Sequence, residues 1–150
     1  LAGPDTDLLD TIAAAEGVIA ARCGPLVPTA VTATVRAIAG SAATVQVFPV
    51  ISLTSATSST GEVADLSRVT LSEAGVLTGL GQGTWTVVYE AGRVTCPPDL
   101  KQACLELVKH LWAIRRGAGS QRTPDTPGAA HLLPYRVQTL IEPYLLPGIG

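Results

Sequence analysis

The sequence predicts an α+β fold: a small helical bundle formed by the N- and C-terminal helices, with an antiparallel β module inserted between them. Three observations predict it. The apolar period is helical near the start, becomes alternating over residues 29–92, and is helical again beyond Val94. Breakers stand at both changes, Gly24-Pro25 at the first and Gly92 with Pro97-Pro98 at the second. The 150 residues suit a single domain. Its helical core comes from residues 1–28 and 93–143, its inserted β module from 29–92, and an extended C-terminal tail from 144–150.

The first helix is expected over residues 7–23. Asp7 reads as its N-cap, and Asp5 and Asp10 suit the positive end of its dipole. Leu8, Ile12, Ala15 and Ile19, with Leu9 beside them, form the apolar stripe, and Cys23-Gly24-Pro25 ends it. Gly17 costs up to about 1 kcal/mol against Ala and leaves room for a neighbouring backbone. In the β module, Val31, Ala33, Val35 and Ala37 alternate with Thr32, Thr34 and Arg36. Residues 44–54 form a second β stretch, with Pro49 at an edge or bulge because it has no ladder donor. Residues 55–61 read as polar and flexible. Residues 68–71 and 75–80 are short strands, residues 81–83 a turn, and residues 84–89 a strong strand of β-branched and aromatic residues.

The long helix is expected over residues 98–116. Pro98 suits its first turn, and Asp99 sits at the positive end of its dipole. Leu100, Cys104, Leu107, Leu111 and Ile114 face inward, widened by Ala103 and Val108. Glu106 pairs with Lys109 or His110. Residues 117–133 are a loop rich in Gly, Pro, Ser and Thr. A third helix runs over residues 134–142 and stops at Pro143.

Charged residues make up 15% of the chain against 47% hydrophobic, with a net charge of -2. Such a chain is neither a disordered tail nor a nucleic-acid binder by net charge alone. No apolar run approaches the ~18 residues of a membrane span. Asp5, Asp7 and Asp10 argue against a signal peptide. Methionine is absent, so residues are expected to precede Leu1. A soluble chain so poor in charge has either a very efficient core or a surface covered by other chains. The three cysteines, Cys23, Cys96 and Cys104, form no CxxC pair and are expected to be buried free thiols, with no metal site.

No catalytic set assembles, and no cofactor is expected. Residues 79–83 resemble a phosphate-cradling loop in glycine content only, because a strand follows where that chemistry needs a helix N-terminus. His110 reads as a satisfied surface or interface residue beside Glu106. His131 lies in a loop without a carboxylate or thiol near it in sequence. The charges are more telling. Lys101, Lys109, Arg115, Arg116 and Arg122 face one acid, Glu106, while Asp7, Asp10 and Glu16 precede Arg22. Each helix thereby complements its own dipole. Alternatively, one chain's basic end meets its neighbour's acidic face, a head-to-tail contact that can close a ring, or the basic loop lines a DNA passage. Tyr144, Leu145, Leu146 and Ile149 either fold back or dock on a partner.

Tyr89-Glu90-Ala91-Gly92, followed by Pro97-Pro98-Asp99-Leu100-Lys101-Gln102-Ala103, His110-Leu111-Trp112 and Arg115-Arg116, resembles the head–tail connector (adaptor) proteins of tailed phages. Leu8-Leu9-x-x-Ile12-x-Ala14-Ala15 is similar to their first helix, and Phe48-Pro49-Val50-Ile51-Ser52-Leu53 to a strand of phage neck proteins. Pro134-Tyr135-Arg136-Val137 with Leu140-Ile141-Glu142-Pro143-Tyr144 is similar to their closing helix. The β module is larger than in the compact, nearly all-helical members.

The resemblance implies a non-enzymatic structural protein of the virion neck, assembled in the host cytoplasm. It implies a homo-oligomeric, dodecameric ring beneath the portal protein, joined to a stopper or tail-completion protein. Genomic DNA would pass through the channel without sequence-specific binding, and no membrane is involved. The resemblance places Tyr144, Leu145, Leu146 and Ile149 at the portal. Asp7, Asp10, Glu16, Lys109, Arg115, Arg116 and Arg122 become subunit-interface or channel candidates. Deleting residues 144–150 is expected to weaken portal binding and spare the fold. The alternatives are another neck protein or, from a different class, a small ligand-binding or hydrolytic β module.

Overall fold

A computed structural model describes residues 3–116 and 133–147. Among them the fold is α+β, with three α-helices and two three-stranded antiparallel sheets. The backbone divides into a helical unit, residues 1–23 and 96–150, and a β unit, residues 24–95. No described helix is long and apolar enough to cross a membrane.

In the helical unit, α1 (Pro4–Cys23) and α3 (Tyr135–Ile141) both pack on α2 (Pro98–Arg115). Successive helices run antiparallel. The start of α1 meets the end of α2 through Asp7 and Arg115. The start of α2 meets the residues after α3 through Asp99 and Tyr144. Helix α1 begins three residues before the expected cap, so Asp7 lies inside its first turn. Its buried stripe is Thr11, Ala15, Ile19 and Cys23, four residues apart. Leu8 and Leu9 are exposed instead. Thr11 can be buried because its hydroxyl donates to the Asp7 carbonyl at 2.8 Å. Leu100, Ala103 and Leu107 of α2 and Val137 and Ile141 of α3 complete this core. Gly17 is exposed, and a Cβ there would meet nothing within 4 Å, so no backbone among the described residues approaches it closely.

In the β unit, β1 (Thr29–Ala37), β6 (Gly83–Ala91) and β3 (Val50–Ser58) form one sheet with β6 central. The second sheet has the order β2 (Ala43–Thr44), β5 (Val76–Thr78), β4 (Thr70–Leu71). Trp85, Val87, Tyr89 and Ala91 are buried at every second position of β6, while Thr84 and Thr86 are exposed. Val35, Ala37, Val50, Ala56 and Leu77 join them in one core. Two polar tips in this core find partners. Trp85 Nε1 donates to the Gly81 carbonyl at 2.8 Å, and Tyr89 OH to the Val47 carbonyl at 3.1 Å.

The expected second β stretch is interrupted. It becomes β2, an irregular segment containing Pro49, and then β3. Residues 55–58, read as flexible, continue β3. Ala56 is fully buried opposite Val87, and this cross-strand pairing overrides the polar composition. Residues 79–83 connect β5 to β6, with a strand and not a helix after them. Gly79 has φ +90, and a Cβ there would run into the Arg68 carbonyl oxygen.

Candidate interaction surface

The charged candidates divide. Asp7 and Arg115 are consumed within the chain, since Arg115 Nη2 donates to Asp7 Oδ1 at 2.9 Å. Both belong to helix ends whose partial charges favour them. Arg116 caps α2 and lies over its own Trp112 ring, 4.8 Å from the centroid. Asp10, Glu16 and Lys109 are exposed and point to solvent. Arg122 lies outside the described residues, as do His131 and Ile149. The structure therefore leaves Asp10, Glu16, Lys109 and Arg116 as described charges able to meet a neighbour.

The expected pairing of Glu106 with Lys109 or His110 does not form. Glu106 accepts from Gln102 Nε2 at 3.0 Å and stands 3.6 Å from Arg136 Nε of α3. A partner on another helix has displaced the one in sequence. His110 is half-buried, and its Nε2 has no hydrogen-bond partner among the described residues.

The tail is not extended from residue 144. Glu142, Pro143 and Tyr144 form a 3₁₀ turn after α3. Tyr144 OH donates to Asp99 Oδ2 at 3.4 Å, and the Leu146 N–H donates to the Arg22 carbonyl at 2.9 Å. The physical cause is the C-terminus of α1, whose last carbonyls have no helical donor. Of the apolar tail candidates, Leu146 is half-buried and Leu145 remains exposed. Leu145 lines a shallow groove of about 440 Å³ together with Arg22, Tyr135, Ile141 and Glu142.

None of the three cysteines is in a disulfide; Cys23 is buried, and Cys96 and Cys104 are half-buried. Burial pushes the Cys104 thiol up to about 11, helped by the nearby Cys96, Glu16 and Cys23. A thiol that keeps its proton is a poor nucleophile at neutral pH. No group of three His, Cys, Asp or Glu residues able to hold a metal ion occurs among the described residues.

Sequence reasoning missed the exposed apolar residues of the helical unit. Leu9 is 65% exposed, Leu105 64% and Tyr135 83%. Leu105 gave a signal, because it falls outside the α2 stripe. Leu9 gave none, because it stands next to that of α1. No protein-family model matches the chain, and no curated protein matches it.

Proposed function

We propose that this chain is a structural head–tail connector (adaptor) of a tailed phage or phage-like particle. It forms a ring beneath the portal, extends the DNA channel, and joins the capsid to the stopper and tail. The observation that carries this reading is the apolar surface of the helical unit. Leu9, Leu105 and Tyr135 stand exposed on three different helices of a chain with only 15% charge. Covering such residues returns roughly 25 cal/mol per Å² of apolar area, and a ring subunit is covered on both flanks. The order of sequence blocks from Leu8 to Tyr144 supports the same reading. With Asp7 and Arg115 paired internally, the head-to-tail contact falls to Asp10, Glu16, Lys109, Arg116 and the exposed apolar residues. Leu145 faces the portal, and DNA passes without sequence-specific contacts.

The test is electron imaging of the purified chain with and without purified portal protein. Rings of the portal's symmetry, formed alone or on the portal, are expected. A chain that stays monomeric and ignores the portal at high concentration overturns the reading.

A further inference from the structure

Strand β1 is an unpaired edge of its sheet. It pairs with β6 over nine residues, from Thr29 opposite Ala91 to Ala37 opposite Gly83, without a bulge. Its other edge makes no backbone hydrogen bond with any described residue. Natural edges are usually blunted by Pro, Lys, bulges or shortness. This one has a single charge, Arg36, and no Pro, Lys or bulge. A groove of about 310 Å³ runs beside it, walled by residues 44–47. Five consecutive β1 residues, 31–35, line that groove. Neighbouring side chains of a strand point to opposite faces, so the groove follows the strand's edge.

The opposite edge of this sheet is closed. Strand β3 carries two register shifts. Its Ala56 carbonyl accepts from the Ala64 N–H, and its Ser58 and Val50 N–H groups donate to the Glu62 and Glu73 carbonyls. An edge-to-edge contact between copies must therefore use β1 on both sides, which makes it isologous.

We propose that two copies of this chain pair through β1, antiparallel, joining their three-stranded sheets into one six-stranded sheet across a two-fold axis. Full overlap of the nine residues centres the pairing on Ala33, so Arg36 of one copy lies opposite Ala30 of the other. Ala30 is itself opposite Glu90 on β6. Residues directly opposite share a face. Arg36 and the second copy's Glu90 thus lie on one face, two strand spacings or about 10 Å apart, with only a small alanine between them. Neither forms an ion pair with a described residue of its own chain. The two-fold axis makes this complementary contact twice, while the same face brings Thr32 opposite Thr34. The contact rests on the β unit, not on the observations behind the neck reading; being two-fold, it joins free chains or stacked rings and not neighbours within one ring.

The test is sedimentation of the full chain over a range of concentrations, with hydrogen exchange of the β1 amides at each. A monomer–dimer equilibrium is expected, with the β1 amides protected only in the dimer. Arg36→Glu and Glu90→Arg each weaken it by about tenfold, from two repulsive contacts worth tenths of a kcal/mol to about one each. The double variant R36E/E90R restores it. A chain that stays monomeric at its solubility limit overturns the proposal. So does a dimer whose β1 amides exchange as fast as the monomer's, or a double variant as weak as the single ones. Protection of β1 only on adding another protein's extended segment also overturns it, and assigns the edge to a foreign strand.

Discussion

Arg115 and Asp7, 108 positions apart in sequence, are joined by a 2.9 Å hydrogen bond that ties the end of α2 to the start of α1. Both side chains are partly exposed, so the bond is worth roughly 0.2–1 kcal/mol. A double-mutant cycle with Asp7→Ala and Arg115→Ala, followed by urea unfolding, should give a coupling in that range. The coupling should shrink at about 1 M salt, where the screening length falls to about 3 Å.

Two glycines should respond to alanine with opposite signs. Gly17→Ala, exposed in the middle of α1 with open space around it, should stabilise the chain by about 0.5–1 kcal/mol. Gly79→Ala places a methyl group on the Arg68 carbonyl at a positive φ and should destabilise by more than about 1 kcal/mol. Chemical denaturation of both variants measures the two signs.

Cys104 predicts an alkaline loss of stability. Its thiol is raised from 9.0 to about 11, chiefly by burial. The folded chain therefore holds this proton more tightly than the unfolded chain. The resulting contribution is complete below about pH 9 and disappears as the pH rises through about 11. Cys104→Ala should flatten the fall in unfolding free energy over that window. In the native wild type, alkylation of Cys104 should quicken about tenfold per pH unit between pH 8 and 10.

Deleting residues 144–150 should destabilise the helical unit, contrary to the expectation from sequence. The deletion removes the Leu146 donor from the Arg22 carbonyl and Tyr144 from Asp99. One such bond contributes about 0.5–1.5 kcal/mol, and urea unfolding should show at least that loss. Portal binding is therefore better tested with Leu145→Ser, which changes an exposed side chain and leaves both bonds in place.

Much of the fold was legible because its signals are local. Pro97-Pro98-Asp99 marks the start of α2, and the alternation around Trp85, Val87 and Tyr89 marks β6. What was illegible depends on distant partners. Asp7 has the chemistry of a cap, but Arg115 on another helix engages it. Glu106 has Lys109 and His110 within a turn, yet Gln102 and Arg136 occupy it. Residues 55–58 become strand because β6 offers them a ladder. Leu9, expected beside the stripe, is exposed, while Thr11 is buried within it, since a back-bonded hydroxyl is cheap to bury and one helix presents only one stripe to α2. The candidate interaction residues were legible as types; which of them remain available follows from the long-range pairs.

The division of the helical unit between the two ends of the chain also sets an order of events on the ribosome. The β unit is continuous from residue 24 to residue 95 and can complete its sheets while the rest is still being made. Helix α1 emerges before the β unit, but its described helical partner α2 follows only several seconds later at roughly 10 residues per second. During that interval Ala15 and Ile19 are held apart from the surface that will bury them. Nascent α1 thus waits longest for its partner, although it leaves the exit tunnel before the other two helices.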